Sequence, residues 1–198
     1  MKLLLLFAAL LVPGMAANDD VEKGKTIGNA TAPVVLELYS DYMCPACAHL
    51  HARVLPAIIL DYVKTDKALL VFREFPVEGL RHPFSRQAAP LAVASGRLSM
   101  YPLTSDALFY SQDTWGITGK VWESIKPIFK PEEQKKMQAL AADPAVLAEV
   151  QADVERGKKA NVTVTPTMII THRSKQQAWT KFNDYPLLRS YLDGLVKK

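Results

Sequence analysis

The chain has 198 residues and sets 24 lysines and arginines against 20 aspartates and glutamates, a net charge of +4. So small a surplus, spread out apart from short clusters such as Arg156, Lys158 and Lys159, gives no basis for nucleic-acid binding. Hydrophobic residues at 49% and charged residues at 22% are the balance of a globular protein with a full core, and the length suits one domain or one domain with an insertion.

Residues 1–17 read as a signal peptide. Lys2 supplies the positive start, Leu3 to Val12 form an apolar run, Pro13 and Gly14 break it, and Ala16 or Ala17 offers a small-residue cleavage site. The run is about half of the roughly 20 residues needed to cross a bilayer. Residues 18–31 are polar and read as a loosely held N-terminal extension. Asn29-Ala30-Thr31 and Asn161-Val162-Thr163 match the glycosylation acceptor pattern, which arises often by chance.

Pro33 to Ser40 reads as a buried strand, Asp41-Tyr42-Met43 as the turn leaving it, and Cys44 as the opening of a helix that runs to Val63 with a kink at Pro56. Ala68 to Phe75 is a second strand, and the strand–helix–strand order predicts a parallel pair. Pro83 to Lys159 is helical in pattern. Thr104-Ser105-Asp106, Pro131-Glu132-Glu133 and Asp143-Pro144 mark helix starts, and Gly157 is expected to close the last helix. Thr167 to His172 and Gln176 to Phe182 read as two strands. A final helix over Pro186 to Val196 is expected to bury Leu187, Leu188, Tyr191 and Leu195.

The two cysteines are Cys44 and Cys47, separated by Pro45 and Ala46. Behind a secretory leader the expected compartment is oxidising, the bacterial periplasm or the cell exterior. Two thiols spaced i, i+3 at a helix start share a face and come within reach of a disulfide. Cys44, at the N-cap, meets unpaired N–H groups and the positive end of the helix dipole, which lowers its pKa. Cys47, one turn in, is expected to be buried. The pattern predicts Cys44 as attacking nucleophile and Cys47 as resolving thiol, with Pro45 in the first helical turn where its missing N–H costs nothing. Thr165-Pro166 precedes a core strand. An ordinary trans turn fits there, and so does a cis bond that presents a backbone edge to a substrate strand beside the sulfur.

Ala32-Pro33-Val34-Val35, then Tyr39-Ser40-Asp41-Tyr42-Met43-Cys44-Pro45-Ala46-Cys47, with a Thr-Pro well downstream, resembles the DsbA-type thiol–disulfide oxidoreductases. Arg73-Glu74-Phe75-Pro76 and Ala107-Leu108-Phe109 with Gln112 and Trp115 fit the same branch more loosely. The resemblance implies an α/β, thioredoxin-like fold interrupted by a helical domain: residues 32–82 and 160–198 as the two thioredoxin-like parts, 83–159 as the insertion. It also implies Cys44 and Cys47 as the redox pair, supported by Pro45 and Ala46. Pro166 becomes the cis-proline, with Thr165 before it at the substrate-binding edge. Protein thiols and disulfides are the implied substrates, with a membrane quinone-linked reoxidant as usual partner and no cofactor beyond the Cys44–Cys47 disulfide. The sequence departs from the family in two places. Leu38 stands where a buried acid often serves the resolving thiol, and Ala46 where strong oxidants often carry a histidine.

Zinc is the rival from another class, because His49 and His51 follow the cysteines. They lie two apart on a helix and point to different faces, and the second ligand pair of a structural site is missing. A static disulfide is the other rival, but so short a loop gains little from closure. Among thiol activities, oxidase leads over reductase and isomerase, and the fourteen or so polar residues after the expected leader read as too few for a dimerisation domain, so a monomer is expected.

Overall fold

The computed structural model describes residues 24–77 and 79–197. The leader expected at 1–17, and residues 18–23 of the expected extension, lie outside the described residues. A five-stranded sheet organises the chain, in the order β1 (Thr26–Ile27), β3 (Ala68–Glu74), β2 (Val34–Ser40), β4 (Thr167–His172) and β5 (Lys175–Trp179). Its centre is β2 (Val34–Ser40), parallel to β3 (Ala68–Glu74) and antiparallel to β4 (Thr167–His172). β5 (Lys175–Trp179) pairs with β4 through a tight turn in which Arg173 and Ser174 both take positive φ, the twist a two-residue hairpin requires.

Strand alternation decides which residues build each face. Leu36 and Leu38 of β2, Leu70 and Phe72 of β3 and Met168 and Ile170 of β4 enter the main core with Cys47 and Leu50. Tyr39 and Ile169 turn to the opposite face and pack with Val162 and Phe75. α1 (Pro45–Arg53) leaves the end of β2 and stops at Val54. α2 (Leu55–Ile58) and a π-helical turn (Ile59–Val63) carry the chain back toward β3. The break accords with Pro56, which has no N–H to give to the carbonyl of Ala52.

Between β3 and β4 lie α3 (Ser85–Gly96), α4 (Tyr101–Tyr110), α5 (Gln112–Thr118), α6 (Val121–Ile125), α7 (Pro131–Ala141) and α8 (Pro144–Lys159). α9 (Tyr185–Val196) closes the fold. The expected starts of α7 and α8 stand. Glu133 Oε2 accepts from the Lys130 N–H at 2.9 Å, and Asp143 Oδ1 accepts from Ala145 N–H at 2.8 Å.

Four expectations are corrected. Thr104, Ser105 and Asp106 lie inside α4, with Thr104 and Ser105 buried, and the helix opens instead around Tyr101 and Pro102. Gly157 sits inside α8, where a Cβ would come within 2.6 Å of Phe75 and 3.0 Å of Tyr39. It is a close-packing glycine, and the helix runs on to Lys159. In α9 the buried residues are Leu188 and Leu192, while Leu187 is exposed.

The fourth concerns the extension. Residues 26–27 form β1 (Thr26–Ile27), antiparallel to β3, and Lys25 before it is buried. Its ammonium donates to Asp153 at 2.6 Å and meets Glu149 at 3.0 Å, both on α8. Asp153 also contacts Arg73 at 3.4 Å, and Arg73 pairs with Glu37 at 2.7 Å.

Candidate active site

The site forms where β2 ends. Asp41 turns the chain, and its buried carboxylate gathers four partners. Oδ1 accepts from Met43 N–H at 2.7 Å and from the Ser85 hydroxyl at 2.6 Å. Oδ2 accepts from Val77 N–H at 2.8 Å and lies 2.6 Å from His82 Nδ1. One side chain thus ties the cysteine loop to the segment that follows β3. An aspartate bonding the N–H two residues on is a local turn former, and that was the only sign of this role in the sequence.

Cys44 is the N-cap of α1, with φ −78° and ψ 117°, and Pro45 is the first helical residue. Its carbonyl accepts from the N–H groups of Cys47 and Ala48 at 3.0 and 3.1 Å. Pro45 and Ala46 are exposed. Cys44 keeps 8% exposure and Cys47 none, and both are free thiols. The Thr165-Pro166 bond is cis. Cys44 Sγ lies 3.3 Å from the Thr165 carbonyl, to which it donates only in its protonated form. This contact brings the Cys44 cap of α1, with Pro45, Ala46 and Cys47 in the helix, against the Thr165-Pro166 loop before β4.

The two sulfurs differ sharply. The Cys47 thiol donating to Cys44 pulls the Cys44 pKa down to about 5. Burial opposes it, and the Thr165 side chain and the N–H groups of Cys47 and Ala46 add to the fall. The sequence assigned the depression to the helix end; the neighbouring thiol contributes more. Burial, and then the hydrogen bond and charge of Cys44, push the Cys47 pKa up.

Leu38 is buried between Phe72 and Met168, and Glu37 is spent on Arg73, so no carboxylate stands at the family's acidic position. A different acid is buried at the end of β3. Glu74 accepts from the Tyr101 hydroxyl at 2.6 Å, and the Tyr42 hydroxyl lies at 3.5 Å. Burial lifts its pKa to about 8, opposed by Lys25 and the Tyr101 bond and assisted by Asp153 and Glu149. Between the ordinary value of 4.5 and about 8, the folded protein holds a proton that the unfolded chain has lost. Stability therefore falls as pH rises through that window, by up to about 1.4 kcal/mol per unit. Glu74→Gln is expected to flatten this slope and to melt above the parent at pH 8. An unchanged slope in urea titrations across the window would refute the assignment.

The histidines do not gather. His49 is exposed, whereas His51 is buried against Phe109, with ring centroids 4.1 Å apart, and burial drops its pKa to about 3. His82 is engaged by Asp41. Among the described residues no group of three or more metal-ligating side chains comes together.

The strand order, with a helical layer interposed between β3 and β4 and the cysteine helix opening at the end of β2, is that of a thioredoxin-like α/β fold carrying a helical insertion. A family model described as thioredoxin matches residues 20–184, and the chain belongs to that family. The oxidised crystal structure of BdbD from Bacillus subtilis is 21% identical with a TM-score of 0.73, covering 89% of this chain and 95% of that one. DsbA2 of Pseudomonas aeruginosa is 21% identical with a TM-score of 0.72, covering 88% and 95%. At fold level these neighbours match the DsbA-type resemblance read from the residues around Cys44. A candidate protein-disulfide oxidoreductase of Rickettsia bellii is 29% identical over 120 residues, 58% of this chain and 45% of that relative. The chain thus spans less than half the length of that relative.

Proposed function

We propose that the protein is an exported thiol–disulfide oxidoreductase that introduces disulfides into secreted or periplasmic proteins through the Cys44–Cys47 couple. The observation that carries the reading is the split between the sulfurs, with Cys44 drawn down to about 5 and Cys47 driven up. In the oxidised form a client thiolate attacks Cys44, the Cys44–Cys47 bond breaks, and Cys47 leaves and takes up a proton. A second client thiolate then attacks the client sulfur of the mixed disulfide. Cys44 departs with the electron pair, and as a stable thiolate it needs no proton. A low-pKa leaving thiol speeds this second step and makes the reduced enzyme the favoured state, which is the bias of an oxidant.

In this reading the cis Thr165-Pro166 edge receives the client backbone as an added strand. Residues 32–82 and 160–198 form the redox domain, and 83–159 the helical insertion. The leader directs the chain out of the cytoplasm, the protein acts as a monomer, and a quinone-linked membrane protein restores the disulfide. Equilibration with glutathione buffers tests the direction. A potential near roughly −120 mV supports an oxidase, and one near roughly −270 mV makes the protein a reductase.

A further inference from the structure

Met43, just before the nucleophile, is joined to Tyr42 by a peptide group held from both ends. Its N–H donates to Asp41 Oδ1 at 2.7 Å. The carbonyl of the same group, that of Tyr42, accepts from Gln112 Nε2 at 2.6 Å. In a trans peptide N–H and C=O point in opposite directions, so two side chains on opposite sides fix the plane completely. The second hydrogen of the same amide serves the Cys44 carbonyl, at 3.2 Å. That carbonyl also accepts from the N–H groups of Cys47 and Ala48, so Gln112 shares it with the first turn of α1.

The donor comes from a different part of the chain. Gln112 is the first residue of α5, and α5 is anchored independently of this contact. Trp115 is wholly buried and donates from Nε1 to the Leu108 carbonyl at 2.8 Å. Gly116 faces Met43, whose Cε would lie 3.7 Å from a Cβ placed there. A helix so fixed can act as a stop for the cysteine loop.

We propose that Gln112 is a positioning residue for Cys44: its amide, bridging the Tyr42 and Cys44 carbonyls, locks the loop in the N-cap conformation that aims the sulfur at the free N–H groups of α1. This inference rests on the thiol-exchange reading above. Glutamine suits the task because its NH2 carries two hydrogens for two carbonyls and no charge to disturb a thiolate.

The test uses the reduced full-length protein and the pH dependence of Cys44 alkylation by iodoacetamide. Gln112→Met keeps the length and removes the donor, and Gln112→Glu keeps the shape and presents only acceptors to the two carbonyls. Both are expected to move the midpoint upward from about 5, by about one pH unit for Gln112→Met and further for Gln112→Glu. Gln134 is the control, since its amide also bridges two carbonyls, those of Lys126 and Phe129 at 3.2 and 3.1 Å, within the insertion. Gln134→Met is expected to lower the melting temperature and leave the midpoint in place. A midpoint unmoved in Gln112→Met, or moved equally in Gln134→Met, overturns the proposal. The midpoint is read without any exchange reaction, so a parent protein that alkylates at Cys44 yet oxidises no client would sink the exchange reading alone.

Discussion

Cys47→Ser is expected to accumulate covalent complexes with client proteins through Cys44, while Cys44→Ser loses exchange to background. The asymmetry follows from ionisation. In the proposed cycle run backwards, the reduced Cys44, with its pKa drawn down to about 5, attacks a client disulfide as a thiolate at neutral pH and forms the mixed disulfide. Cys47 is wholly buried with its pKa pushed up, and in this reading it acts only when a mixed disulfide on Cys44 comes within its reach. Without Cys47 the mixed disulfide has no internal thiol to resolve it, so it persists. Non-reducing gels with mass spectrometry of the trapped bands measure the outcome. Equal alkylation of the two cysteines in the reduced parent, or exchange surviving in Cys44→Ser, would overturn the assigned roles.

Asp153→Ala is expected to be the most destabilising change away from the sulfurs. Asp153 serves Lys25 at 2.6 Å, the Glu74 N–H at 3.1 Å and Arg73 at 3.4 Å, all in surroundings closed to water. Its removal leaves the Lys25 ammonium leaning on Glu149 and takes one acceptor from Arg73. Breaking a buried pair from one side costs about 3–5 kcal/mol, a large part of a typical domain's stability. The melting temperature should fall by about 10 °C. Lys25→Met in the same background should recover part of the loss, because it withdraws the stranded cation. Calorimetry on the two single variants and the double variant gives the coupling directly. Additive effects of the two changes would show that the pair contributes nothing as a pair.

The contrast between these sites explains what could be read from the residues alone. The strands around Leu36 and Leu70 and the helix opening at Cys44 follow from local signals, apolar runs and a cysteine spacing. The proline before a strand left a trans turn and a cis bond both open, and only the resemblance set Thr165-Pro166 beside the sulfurs. Lys25 gives no such signal. A lysine among polar residues reads as solvated, and it is buried here because its partner Asp153 is 128 residues away on α8. Gly157 looks like a helix stop by its residue type, yet its position is dictated by the Phe75 ring. Thr104 to Asp106 resemble a cap by composition but fall within α4. Asp41 was visible as a turn residue, and Gln112 only as a member of a family pattern. Their work is done through backbone groups, which a string of side-chain names does not display.

The unequal thiols also fix how many protons travel with the electrons. Above about pH 5 the reduced pair carries one proton, so closing the bridge releases one for every two electrons. The midpoint should then drift by ~30 mV per pH unit, against ~59 mV for a couple that sheds two, such as glutathione. Alkaline surroundings would therefore raise the protein's potential relative to that of the glutathione pool, and acidic ones would lower it.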